Sequence, residues 1–187
     1  ELWQEINRHL AHLTSTIKPE QIGSIPQIAA MRNAYKALGK DPSRYRGSAE
    51  ALLRRVLAGK GLYQINNVVD INNLVSLENF QPLGSYDLEH VSGAIELRTG
   101  AAGETYKGIG KGEINIENLP VFVDAQGPFG SPTSDSGRAM IRMETRRIFM
   151  AIFSFAGPEG LEINLSRAKK LLGSYAGARN IESHLAK

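Results

Sequence analysis

Residues 65–88 read INNVVDINNLVSLENFQPLGSYDL. Five asparagines (Asn66, Asn67, Asn72, Asn73 and Asn79) sit among aliphatic residues before the chain breaks at Gln81-Pro82. Asparagine is a poor helix former and is costly to bury without a partner. Yet Ile65, Val68, Val69, Asn72, Val75 and Ser76 step helically. The stretch therefore reads as a helix whose amides need hydrogen-bond partners. Asn66 and Asn67 stand at its start, where asparagine can cap. Gly84-Ser85-Tyr86-Asp87 then reads as a turn.

The texture of the chain changes across this point. Before it lie helical patterns. Leu2, Trp3, Ile6, Leu10, Leu13 and Ile17 repeat at three- and four-residue steps. Ile25 to Leu38 places Ile28, Met31, Tyr35 and Leu38 on one side, and Gly39 closes it. After the loop KDPSRYRGS, Ser48 is an expected N-cap, and Leu52, Leu53, Val56 and Leu57 carry a third helix to Gly59. Beyond Pro82 the patterns are those of strands: AIELRTG (94–100), a glycine-turned hairpin in GETYKGIGKGEI (103–114), and LPVFVDA (119–125). QGPFGSPTSDSG (126–137) reads as a loop. RRIFMAIFSF (146–155) is apolar on both faces, the mark of a central strand. A closing helix, capped by Asn164 or Ser166, runs through Leu171 and Leu172. Helices, then strands, then a helix define an α+β fold. The stretch IKPEQIGSIP divides residues 1–24, an expected N-terminal helical arm, from a domain over 25–187.

With 187 residues, 42% of them hydrophobic, one core is sufficient. No run approaches the 18 or so apolar residues of a membrane span. ELWQEINRHL is amphipathic and not a signal peptide, and a start at Glu1 leaves room for an upstream segment. The absence of cysteine excludes disulfides, thiolate metal ligands and a thiol nucleophile, and fits a cytoplasmic setting. His9 and His12 lie three apart, but no carboxylate pattern completes a ligand set, so no metal or cofactor is expected. No G-x-S-x-G accompanies His90, so a serine triad is not indicated. The KGIGKGE turn has neither P-loop nor dinucleotide spacing.

Charge is uneven. Residues 31–60 carry eight Lys/Arg against Asp41 and Glu50, whereas 61–135 carry three basic and ten acidic residues. Arg44, Arg46, Arg54 and Arg55 form the block expected to meet RNA phosphates. Solvated helix faces are the alternative. In GSPTSDSGR (130–138), six polar side chains fall within eight positions. They either cap turns locally or line a pocket.

Taken in order, NNVVDINNLV, QPLGSYDL, GAIELR, Gly103-Glu104, VFVDA and the loop after it resemble the editing (B3/B4) domain of the phenylalanyl-tRNA synthetase beta subunit. RNAYKALGKDPSRYRGSAEALLRRVLAG is similar to the free-standing proteins built on that domain. The resemblance covers roughly Ile25 to Phe155. It implies a three-layer fold with a β-sandwich of unusual connectivity and helices packed on one side. It also implies a pocket for an amino-acid-like ligand and a surface for an aminoacyl-tRNA end. Carried over, the pocket comprises Asn73, Gly84, Ser85, Gly130, Ser131, Ser134 and Arg138. Asn73 is expected to point inward on a stripe with Val69, Leu77 and Phe80.

Two departures stand out. The family's QPMHAFDL reads QPLGSYDL, so its pocket histidine is Gly84 here. Its glutamate, which reads the tyrosine hydroxyl, falls at Ala151. A site without both should not prefer tyrosine in the same way. The expectation is thus a tRNA-related binding domain. The alternatives are a trans-acting hydrolase of mischarged tRNA, with oxyanion donors from Gly127 to Ser131, and a protein-interaction module.

Overall fold

The computed structural model describes residues 1–186. Four helices come first: α1 (Leu2–Thr16), α2 (Pro26–Ala37), α3 (Ser48–Leu57) and α4 (Asn67–Asn79). Seven short strands follow among the described residues: β1 (Leu83–Asp87), β2 (Glu96–Thr99), β3 (Thr105–Lys107), β4 (Glu113–Asn115), β5 (Pro120–Asp124), β6 (Gly127–Gly130) and β7 (Ile148–Ile152). Helix α5 (Leu161–Tyr175) closes the order. The fold is α+β with antiparallel sheets, as expected.

Four of the five asparagine side chains of residues 65–88 find partners. The Asn66 side chain caps α4 by accepting from the Val69 N–H at 3.0 Å. The Asn67 amide donates to the Tyr175 carbonyl and the Asn79 amide to the Val75 carbonyl, while the Asn72 carbonyl oxygen accepts from Ser85. Two expected caps differ. Gly47, not Ser48, is the N-cap of α3. Helix α5 starts at Leu161 behind Gly160, whose φ of 78° suits glycine. Asn164 lies inside that helix and turns its amide to the Gln81 side chain instead.

The stretch expected as a turn, Gly84 to Asp87, is strand β1, and it pairs antiparallel with β7. Because side chains alternate along a strand, β1 and β7 each have two distinct faces. Leu83, Ile148, Met150 and Ile152 pack against α1, α4 and α5. Tyr86, Phe149 and Ala151 face the other way, onto Phe122 of β5 and Phe129 of β6. Helices α1, α4 and α5, the β1–β7 pair and the β2-β5-β6 sheet thus form three successive layers, whereas α2 departs from the expected one-sided packing and sets Met31 and Tyr35 against Val121 and Val123 of β5. The β3–β4 hairpin stands as a separate two-stranded sheet.

Strand β7 is not central, contrary to the expectation. It pairs with β1 alone and reads as apolar on both faces because helices cover one and aromatic rings the other. Nor does α1 stand apart as an arm. Leu2 and Ile6 share one cluster with Ile71, Leu74, Leu171 and Leu172, and the Trp3 indole N–H donates to Asp70 at 2.8 Å. Arg167 of α5 ties Glu5 of α1 to Glu78 of α4.

Candidate functional site

The β1–β7 register sets Gly84 directly opposite Ala151 and Tyr86 opposite Phe149. The two positions expected to stand in place of pocket side chains are therefore cross-strand neighbours. What fills the space beside them is Tyr86, which has no exposed surface. Two residues along β1 from Gly84 and on the same face, its ring leans back over that glycine. A Cβ built on Gly84 would lie 2.1 Å from the Tyr86 hydroxyl oxygen and 2.6 Å from ring carbon Cζ. A Cβ on Gly130 of β6 would lie 2.3 Å from the same oxygen and 2.4 Å from two ring carbons. Only glycine fits at either place, so the phenol is clasped between two bare backbones. Phe149 stacks on the ring at a centroid distance of 5.8 Å, and Phe129 and Phe122 meet it edge-on at 5.0 and 5.8 Å.

The Tyr86 hydroxyl donates to Asp135 Oδ1 at 2.8 Å, and the Ser131 N–H donates to the same oxygen at 3.2 Å. Desolvation pushes the Asp135 carboxyl up to about 7, although both hydrogen bonds favour its ionised form. Burial, with Asp135 close by, raises the Tyr86 phenol well above its ordinary range. Two further buried tyrosines hold the same loop. Tyr35 of α2 shares a hydrogen bond with the Thr133 hydroxyl at 2.9 Å, and the Tyr106 hydroxyl of β3 donates to the Ser134 carbonyl. Segment 131–135 is thus pinned by three phenols from three different elements.

The residues expected to share one pocket are distributed differently. Gly84 and Gly130 do meet, through Tyr86. Ser85 is next to Gly84 and so faces the opposite side, where its hydroxyl donates to Asn72 Oδ1 at 2.7 Å. Asn72 is buried, whereas Asn73, the amide expected to point inward, is half-buried and takes no part in that bond. The Ser131 hydroxyl donates to the Ser134 carbonyl at 2.8 Å and accepts from the Thr133 and Ser134 N–H groups, a local turn cap. The Ser134 hydroxyl accepts from Lys111 at the surface. Arg138 is gripped by Asp124 through two 2.9 Å bonds and also donates to the Gly127 and His90 carbonyls. It lines a surface cavity of about 390 Å³ beside the β3–β4 turn, and Asn73, Ser131 and Ser134 do not line that cavity. The Ser131 N–H, one of the expected oxyanion donors, is already bonded to Asp135.

The basic block forms a corner between α2 and α3. Glu50, only 3% exposed, receives Arg32 through two bonds of 2.8 and 2.6 Å, Arg54 at 2.7 Å and Arg46 at 3.4 Å. Burial alone would raise the Glu50 carboxyl, but hydrogen bonds from Arg32 and Arg54 hold it below its usual value. One carboxylate among three guanidiniums leaves this cluster with a net positive charge. Arg55 lies 3.9 Å from the ring centroid of Tyr63, which is 64% exposed. Arg44 is exposed and lies, with Lys40, over the Tyr45 ring.

Layered helices and two small antiparallel sheets around a glycine-clasped aromatic interior define an α+β domain. A family profile described as the B3/4 domain matches residues 30–173, and this chain belongs to that family. The chain is 28% identical over 158 residues to the phenylalanine–tRNA ligase beta subunit of Aquifex aeolicus, covering 76% of this chain and 20% of that one. It is 31% identical over 122 residues to the corresponding subunit of Tropheryma whipplei, covering 64% of this chain and 12% of that one. The chain therefore spans a fifth or less of the length of these relatives. Its fold is similar to the crystal structure of an N-terminal fragment of the phenylalanyl-tRNA synthetase beta subunit from Pyrococcus horikoshii. The TM-score is 0.51 at 10% identity, over 90% of this chain and 72% of that one. Among the described residues no helix is long and apolar enough to cross a membrane.

Proposed function

We propose that this protein is a tRNA-binding B3/4 domain that engages RNA through the basic corner of α2 and α3. The relatives act on tRNA by name, which supplies the class of partner. The observation that carries the reading is the local excess of guanidinium groups. Arg32, Arg46 and Arg54 surround a single carboxylate, and Arg44 and Arg55 stand beside them on aromatic rings. Guanidinium groups of this kind meet phosphates in forked geometry, and a tyrosine under an arginine offers a stacking surface for an unpaired base. The reading takes the protein to work in the cytoplasm, where tRNA resides. The amino-acid-like ligand expected near Asn73, Gly84, Ser85, Gly130, Ser131 and Ser134 is not part of it, since Tyr86 fills the space between Gly84 and Gly130.

Charge reversal tests the proposal. Arg44 and Arg55 are the positions to change, because Arg46 and Arg54 also hold Glu50 and their loss would disturb α3. The double variant Arg44→Glu, Arg55→Glu should keep the native circular dichroism spectrum and lose at least tenfold in tRNA affinity by fluorescence anisotropy. Unchanged affinity would refute the assignment of this surface.

A further inference from the structure

The interior between β1 and β6 has the attributes of a ligand site, filled by the chain's own side chain. Its two backbone walls, Gly84 and Gly130, carry no side chain. Glycine inside a strand weakens it and marks a place where something approaches the backbone closely. Here that something is a phenol. Three phenylalanine rings, Phe122, Phe129 and Phe149, surround it at centroid distances of 5.0–5.8 Å. At the far end a single acceptor, Asp135 Oδ1, is held in place by the Ser131 N–H and receives the hydroxyl. A deep apolar pocket ending in one fixed polar group is the usual design of a small-molecule site.

We propose that this space is a phenol site whose permanent occupant is the chain's own Tyr86, and that Tyr86 is the residue deciding what this domain admits. The native chain takes no aromatic ligand in its interior. Removing the ring leaves an aromatic-lined cavity with a hydrogen-bond acceptor at its end, and such a cavity binds a small molecule that matches both. The matching molecule is p-cresol, which has the same atoms as a tyrosine side chain. Toluene has the same ring and methyl group but no donor for Asp135. The inference does not depend on RNA binding, because the basic corner lies on α2 and α3 and the phenol site between β1 and β6.

The test uses Tyr86→Ala in the full chain, titrated with p-cresol and, separately, with toluene. Binding is read as an upward shift of the thermal transition and as saturable heat in calorimetry. The expected result is saturable binding of p-cresol, with toluene weaker on the order of tenfold or more for want of the hydrogen bond to Asp135. Should Tyr86→Ala be unfolded alone, p-cresol should restore its near-ultraviolet circular dichroism. Tyr86→Phe keeps the ring, and like the native chain it should show no shift with either compound. The proposal is overturned by an alanine variant that p-cresol neither stabilises nor refolds. It is equally overturned by toluene acting as strongly as p-cresol, or by a p-cresol shift in the native chain or in Tyr86→Phe.

Discussion

Replacing Gly84 or Gly130 by alanine probes the clasp around Tyr86 directly. The added Cβ would lie 2.1 Å from the phenol oxygen at Gly84 and 2.3 Å from it at Gly130, against an ordinary contact of 3.4 Å or more. Relief demands a displacement of more than 1 Å, and the Tyr86 ring is boxed in by three phenylalanines and tied to Asp135 at 2.8 Å. Overpacking of this kind costs about 1–3 kcal/mol. Loss of a hydrogen bond to a charged group adds about 1.5–3 kcal/mol. The lower entropy of alanine in the unfolded chain returns about 0.4–1 kcal/mol. The net expectation is a loss of about 3 kcal/mol for each substitution. With the ring removed the clash has no partner, so in a Tyr86→Ala background Gly84→Ala should be neutral or slightly stabilising. Urea denaturation of the native chain, both single variants and the double variant closes the cycle, with a coupling energy of about 3 kcal/mol. Single-variant effects that add to within about 0.5 kcal/mol would refute the reasoning, because residues not in contact behave that way.

Two further perturbations concern buried acids, and their pH dependences run in opposite senses. The Asp135 carboxyl, raised to about 7 from an ordinary 3.8, binds a proton more tightly in the folded chain than in the unfolded one. Its contribution therefore falls as pH rises from about 4 to about 7, and Asp135→Asn, which keeps an acceptor for Tyr86, should flatten that part of the stability profile measured in urea. Glu50 is held below its ordinary 4.5, so its contribution is present above that pH and lost below it. Glu50→Gln should cost about 1–3 kcal/mol at neutral pH, by thermal or urea unfolding, because three guanidiniums lose their common charged partner while water still screens them.

Much of the helical half was legible because its signals are local. The periodicity of α1 and α2, the Asn66 cap and the Gly39 stop depend on a few neighbouring residues. Strand β6 was hidden because Gly127, Pro128 and Gly130 have no strand propensity, and pairing with β5 makes the strand instead. Strand β1 was mistaken for a turn on the strength of Gly84-Ser85. Once it is known as a strand, alternation alone separates Gly84 from Ser85. The choice between Asn72 and Asn73 could not be read from a helical stripe, because α4 buries Ile71, Asn72, Leu74, Val75, Ser76 and Leu77, most of its circumference. The grip of Asp124 on Arg138, and the three tyrosines on loop 131–135, join elements distant in sequence and carry no local pattern. No local signal marked Tyr86, because Gly84 and Gly130 read as turn and loop glycines until their strands are known, and only then do they mark close approach of another group.

The central claim is that this B3/4 domain holds tRNA by its surface while its own tyrosine closes the interior. It is tested most directly by measuring affinity for one tRNA species uncharged, phenylalanylated and tyrosylated, across a salt series. If about four phosphates are neutralised at the basic corner, the log–log slope should be roughly −3 to −3.5, a loss on the order of a hundredfold between 50 and 200 mM salt. At each salt concentration the three forms should bind alike, and the tyrosyl ester should survive incubation with the protein. Salt-independent binding, a marked preference for one aminoacylated form, or selective hydrolysis of the tyrosyl ester would contradict the account.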